Sequence, residues 1–313
     1  MTTSVPGEIS TDRVASAAPR AVSAGLTAPR PEGRPVTVAG GAGAAPAATE
    51  KTPLLGGDVP LARMPAHWML GRLGKKVMRP GGLTPSLHML GALQVGERDD
   101  VVDLWPGLGV TTQRTLAAHP HSYLAIERGP AEAARVRRLL TRDEEQVVVG
   151  PVHKTGLADG AASVLYGEAL LTLEPARRKT AIVAEAARLL RPGGRYGIHE
   201  LLLTPDTLSE AAKDDIERTL TKVLRVGARP LTVSEWRRLV EEGGFEVQTE
   251  ETGKMLLLDI PTFLSDEGVW GSTLFTARCL AHPSVIPRIT QMWNVFRRYR
   301  DNLGAIVMTA RRA

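Results

Sequence analysis

Between Val101 and His199 short apolar runs alternate with longer amphipathic stretches, and no other feature limits the fold of this chain as tightly. The runs Val101 to Leu104, Tyr123 to Ile126, Gln146 to Val149, Ser163 to Tyr166 and Tyr196 to His199 are too short for buried helices and read as strands. Helices are expected between them, over Val110 to Ala118, from Pro130, and from Pro175 to the turn Arg191-Pro192-Gly193-Gly194. Strands in that alternation form a parallel sheet with helices on both faces. Two further strands, Phe245 to Thr249 and Ala305 to Thr309, bring the count to seven. The expected fold class is therefore α/β, a doubly wound and mostly parallel seven-stranded sheet.

The flanking segments differ in character. Residues 1–60 are rich in Ala, Pro and Gly, and no Phe, Trp or Tyr precedes Trp68, so this stretch reads as a disordered tail that cannot offset its ordering entropy by burial. Residues 61–98 read as an N-terminal helical cap: Met69, Leu73 and Val77 share a helical face, and Thr84-Pro85 opens a second helix that runs to Gln94. Residues 99–313 then form the main domain. Beyond the strands it carries a helix over Ser209 to Val226 and another opened by the capping box Thr232-x-x-Glu235. The stretch 253–303 is too long and too regularly patterned for a loop. Its stripe of Ile289, Met292, Trp293, Phe296 and Leu303 marks it as a helical insert.

Composition narrows the function classes. With 43% hydrophobic residues the chain can bury a sizeable core, and its single cysteine, Cys279, excludes an internal disulfide. No His/Cys cluster suggests a metal site, no apolar run is long enough to span a membrane, and no secretory signal pattern opens the chain. A cytoplasmic protein is expected. The net charge of +5 is modest and spread, so the arginines read as solvated faces and nucleic acid is not expected as a partner.

The turn after the first strand, Asp103-Leu104-Trp105-Pro106-Gly107-Leu108-Gly109, lets backbone N–H groups approach a polar ligand at a helix N-terminus. Glu127 closes the second strand, 24 positions after Asp103, where an acid takes both hydroxyls of a ribose. A nucleotide coenzyme or an adenosyl group satisfies both features.

With Asp159-Gly160 before the fourth strand and Leu189-Leu190-Arg191-Pro192-Gly193-Gly194-Arg195 before the fifth, residues 99–200 resemble the class I S-adenosylmethionine-dependent methyltransferases, nearest the ubiquinone/menaquinone-biosynthesis-type branch. The resemblance implies a Rossmann-like methyltransferase fold whose last strand inserts antiparallel, and S-adenosylmethionine as cofactor. It implies that Asp103, Gly107 and Gly109 surround the methionine moiety, that Glu127 binds the ribose, and that Pro151 and Val152 lie near the adenine. Trp105 stands where many members have the first glycine of the turn, which puts an indole beside the methionine moiety. An NAD(P)-dependent oxidoreductase is the alternative, although that fingerprint wants a small residue at position 112 and this chain has Thr112. An inactive methyltransferase-fold binding module is a second alternative, raised by Trp105.

Ligands of such sheets sit beyond the carboxyl ends of the strands, which makes Glu168, after the fourth strand, and His199, in the fifth, the catalytic candidates. A histidine there is suited to taking a proton near neutral pH, or else to a hydrogen-bonded place under the insert. Glu200 reads as a strand-end charge or a partner of Arg195 or Arg225, and His67 with Trp68 as part of a cover over the pocket. The insert would roof a small-molecule methyl acceptor with Leu256 to Leu258, Trp293 and Phe296, with a homodimer through its outer face as a further use.

Overall fold

The computed structural model describes residues 54–313. The expected tail up to residue 53 lies outside the described residues. Its expected end at residue 60 is too late, because Leu55 is already in the core at 2% exposure and Arg72 holds the Gly57 carbonyl at 3.1 Å.

A short 3-10 turn at Leu61–Arg63 leads into α1 (Ala66–Leu73), which buries Met69, Leu70 and Leu73. The expected helical face included Val77, but Gly74 adopts φ +109° and ends α1 there, as a left-handed C-terminal residue does. Then α2 (Leu83–Leu93) begins ahead of Thr84, with Pro85 inside its first turn.

The alternating region folds as β1 (Asp100–Leu104), α3 (Val110–Leu116), β2 (Ser122–Glu127), α4 (Pro130–Arg137), β3 (Glu145–Val149), β4 (Ala162–Glu168), α5 (Ala176–Leu189) and β5 (Leu190–Leu203). Every residue of β1 and β2 is buried, as strands covered on both faces require. The last stretch adds α6 (Glu210–Leu224), a two-residue strand β6 (Leu231–Thr232), α7 (Val233–Glu242), β7 (Phe245–Lys254), α8 (Ile260–Ala281), α9 (Ile286–Arg298) and β8 (Leu303–Arg312). The capping box of α7 is present, with Thr232 N–H donating to Glu235 at 2.8 Å.

The main sheet runs β3-β2-β1-β4-β5-β8-β7, with β6 joined to the far end of β5 as an eighth strand. The first five strands pair in parallel, and β8 is antiparallel to both β5 and β7. The mostly parallel sheet and the antiparallel last strand are as expected. The eighth strand, only two residues long, carries no sequence signal of its own.

The insert is helical, as its patterning predicts. It closes a second core, in which Met69 and Leu70 of α1, Leu201 and Leu203 of β5, Ile216 and Leu220 of α6, and Met292 and Phe296 of α9 pack together. Two carboxylates of α8 fasten the insert to the cap: Glu267 accepts the backbone N–H groups of Lys76 and Val77, and Asp266 accepts that of Leu83. The outer face of α8 is apolar yet bare, with Trp270 82% exposed and Val269 77%.

Candidate functional site

The strands β1, β2 and β4 end side by side because β1 pairs with both neighbours in register, Leu104 opposite Ile126 and Gly167. Beyond those ends lies a cavity walled by Trp105, Gly107, Glu127, Arg128, Glu132 and Glu168, and covered by His67, Trp68, Met78 and Arg79 from the cap. Trp68 closes one side by donating from Nε1 to Glu132 on α4 at 2.8 Å.

Glu127 is the main acid of this wall. It is 1% exposed, and its carboxylate accepts the N–H of Gly107 at 2.5 Å and that of Arg128 at 3.0 Å. Burial pushes its pKa up to about 8, against the pull of those two N–H groups. Gly107 is at φ +67°, a conformation suited to glycine, and the nearest atom to a side chain there would be 3.9 Å away, so the backbone is open to a ligand.

Trp105 also lies at positive φ, +57°, an uncommon state for a bulky residue and one that clusters at functional sites. Its N–H donates to Ile126, and the Arg128 guanidinium stacks on its indole at 3.6 Å. Its Nε1 is buried without a partner. A buried carboxylate, an open backbone and an unpaired buried donor on one wall fit a ligand that carries vicinal hydroxyls and further polar groups.

Three residues expected around the cofactor do not line this cavity. Asp103 is 2% exposed and accepts hydrogen bonds from Tyr123 and Tyr166 at 2.8 and 2.9 Å, with Thr112 at 3.3 Å. Burial raises its pKa to about 7. Its work is internal, tying β1 to β2, β4 and α3. Val152 is a core residue at 2% exposure, and Gly109 caps α3 with Leu139 crowding its Cα; neither lines the cavity.

The catalytic candidates meet each other, because Glu168 on β4 is register partner to His199 on β5. Glu168 lies on the cavity wall but is encircled. Thr111 donates to it at 2.5 Å, Ser86 also donates, Arg79 is at 3.1 Å and His199 at 3.1 Å. Although burial opposes its charge, the Arg79 guanidinium and these hydrogen bonds hold its carboxyl well below the usual range.

The ring of His199 is fully buried and does not reach the wall. Its Nε2 donates to the Pro80 carbonyl at 2.6 Å, and its Nδ1 faces Glu168 and Ser86. The hydrogen-bonded alternative for this histidine describes what the structure shows, and no ring nitrogen is open to a proton donor outside the core. Glu200 is likewise neither solvated nor paired with arginine. It accepts the N–H groups of Leu170, Leu171 and Thr172, which holds the 3-10 turn Leu171–Leu173 against the sheet.

A second, apolar chamber adjoins the first and shares His67, Met78, Ala169 and Leu173 with it. Leu201 of β5 forms its floor, Leu224 and Val226 one wall, and Met255, Leu257 and Phe296 of the insert the roof. Of the residues expected to roof the acceptor, Leu257 and Phe296 line this chamber, whereas Leu256, Leu258 and Trp293 do not. That side chain is 42% exposed and stacks with Arg297.

Arg79 and Arg128 escape sequence reasoning. Both are brought to the cavity by contacts remote in sequence, Arg79 through Glu168 and the Pro106 carbonyl and Arg128 through the indole it stacks on.

Residues 102–198 match the model of a family described as a methyltransferase domain. An uncharacterized protein of Haemophilus influenzae is 25% identical over 210 residues, 66% of this chain and 82% of that protein. Two solved structures share the fold. One is a phosphoethanolamine N-methyltransferase 2 of Haemonchus contortus in complex with S-adenosyl-L-methionine, with TM-score 0.58 and 15% identity over 80% of this chain and 59% of that one. The other is a geranyl diphosphate methyltransferase in complex with GPP and sinefungin, with TM-score 0.54 and 17% identity over 73% of this chain and 77% of that one.

The sheet order, the site beyond its strand ends and the matched domain together define a class I methyltransferase domain. The chain is an S-adenosylmethionine-dependent methyltransferase, and the oxidoreductase alternative is set aside.

Proposed function

We propose that this methyltransferase acts in the cytoplasm on a small-molecule acceptor, and that the cofactor lies along the wall formed by Trp105, Gly107 and Glu127. The observation that carries this reading is Glu127, a buried carboxylate at the end of β2 fixed by two backbone N–H groups and turned toward the cavity. Such a carboxylate is set to accept from the two ribose hydroxyls, and the unpaired Trp105 Nε1–H supplies a donor beside it. Asp103, Gly109 and Val152 act behind this wall as packing and hydrogen-bonding supports.

S-adenosylmethionine, when bound, supplies a methyl group already activated on a sulfonium. The protein's own work is then to position the acceptor and exclude water. The Trp68–Glu132 contact and the 3-10 turn braced by Glu200 serve exclusion. Glu168, neutralised by Arg79 and fixed by Thr111 and Ser86, shapes the polar side of the site and holds no proton to give.

Among the described residues no helix is long and apolar enough to cross a membrane. The single cysteine fits a reducing compartment. The bare apolar face of α8 supports a homodimer through the insert.

Titration calorimetry of Glu127→Ala tests the cofactor wall. The two hydrogen bonds to the ribose hydroxyls contribute about 0.5–1.5 kcal/mol each with Glu127 protonated and about 1.5–3 kcal/mol each with it ionised, so affinity for S-adenosylmethionine should fall by roughly tenfold or more. Unchanged affinity in a folded variant would remove Glu127 from the site.

A further inference from the structure

His67, on α1, differs from four of the buried ionisable groups around the site. Glu168, His199, Glu200 and Asp103 are each saturated by neighbours, whereas the His67 imidazole forms no side-chain hydrogen bond among the described residues. It contacts the Trp68 ring at 5.3 Å between centroids and lines both chambers, the polar one under Glu127 and the apolar one under the insert. The apolar chamber is open on one side and, with the solvent space at its mouth, spans about 690 Å³. Its lining is aliphatic and aromatic save for His67 and Thr172, and the Thr172 hydroxyl donates to Glu200.

We infer that the apolar chamber is the acceptor site, that its acceptor is a largely apolar molecule bearing one hydroxyl nucleophile, and that His67 receives the hydrogen of that nucleophile. The inference deepens the methyl-transfer reading and rests on it. A chamber walled by Leu201, Leu224, Val226, Leu257 and Phe296 favours hydrocarbon and gives a charged acceptor no counter-ion, so a cationic amine or a phosphate would be desolvated there without compensation. One polar group must still mark where the nucleophile stops, and His67, at the passage between the chambers, is the uncommitted one.

The proton balance suits this residue. Burial, with the Arg128 charge adding to it, lowers the His67 pKa to about 4, so the imidazole is neutral at physiological pH and has a lone pair to offer. The acceptor heteroatom forms a bond to the methyl carbon as the carbon–sulfur bond breaks. The bonding pair stays on sulfur, giving neutral S-adenosylhomocysteine, and the methylated oxygen, an oxonium until it loses its hydrogen, is a far stronger acid than imidazolium. Its proton passes to His67 late in the step and from there to water.

The test uses 4-hexylphenol as the protic apolar probe and its methyl ether as the aprotic control, with binding of each followed by calorimetry on the full chain. The phenol should bind more tightly than the ether by roughly three- to tenfold, the worth of one hydrogen bond. His67→Phe should abolish that preference. Leu224→Trp and Val226→Trp, which line only the apolar chamber, should each weaken both probes at least about tenfold while leaving S-adenosylmethionine affinity in place. Absence of phenol binding, a preference that survives His67→Phe, or probe affinity untouched by both tryptophan variants would each overturn the inference. Failure of the wild-type chain to bind S-adenosylmethionine would instead overturn the cofactor reading, and the two probe measurements do not depend on that result.

Discussion

His199 Nε2 lies 2.6 Å from the carbonyl oxygen of Pro80, so the histidine best suited by chemistry to act as a base pins the cap to β5 instead. Pro80 belongs to the segment between α1 and α2, and His199 to the centre of the sheet. The same imidazole faces Ser86 on α2 and Glu168 on β4. One side chain thus joins the α1–α2 segment, α2 and β4 to β5, and the first and third of these line the polar cavity.

Replacing His199 should therefore be felt in stability and only weakly in chemistry. For His199→Gln we expect a lower melting temperature, by the loss of buried hydrogen bonds of about 1–3 kcal/mol. In the folded fraction kcat should stay within about threefold of the parent, with an unshifted pH profile. A general base would cost roughly a hundredfold or more, and a loss of that size with an unchanged melting temperature would reinstate His199 as catalytic.

Glu200 should be the most costly carboxylate to lose. Its removal strands the N–H groups of Leu170, Leu171 and Thr172 in the core, each of which costs about 1–3 kcal/mol when unpaired. Glu200→Ala should destabilise by about 3–5 kcal/mol and loosen the turn Leu171–Leu173. Chemical denaturation and amide exchange at Leu171 and Thr172 check both effects, and Glu200→Gln should recover part of the loss.

Stability should fall as pH rises across neutrality. Glu127 and Asp103 have folded pKa values of about 8 and about 7, raised chiefly by burial from 4.5 and 3.8. Both therefore bind their protons more tightly folded than unfolded. The stabilisation is fully present below the unfolded values and is lost as pH climbs through about 7 and about 8. Melting scans of the ligand-free protein between about pH 6 and about pH 9 should show the decline. Glu127→Gln, which cannot ionise, should flatten its upper part.

The outer face of α8 should mediate self-association. Trp270 and Val269 are more than three-quarters exposed on an apolar helix, a costly arrangement in a monomer. Sedimentation should find a dimer that Trp270→Glu converts to monomer without lowering the melting temperature of the monomeric fold. A wild-type chain that stays monomeric at high concentration would dismiss this use of the face.

The sequence alone determined the sheet, its alternation with helices, the turn after β1 and the acid at the end of β2, because these rest on local periodicity and on turn chemistry that neighbours dictate to neighbours. The helical nature of the insert and the capping box of α7 were legible for the same reason. The fate of the ionisable side chains was not. Asp103, His199 and Glu200 all stand at strand ends in sequence, yet partners from 9 to 119 positions away saturate them. Arg79 reaches Glu168, and His67 stays unpaired between two chambers, only because the cap folds over the sheet. Hydrogen-bond satisfaction and desolvation depend on what surrounds a group in space, so tertiary structure decided which acids and histidines hold the fold and which one faces an open chamber.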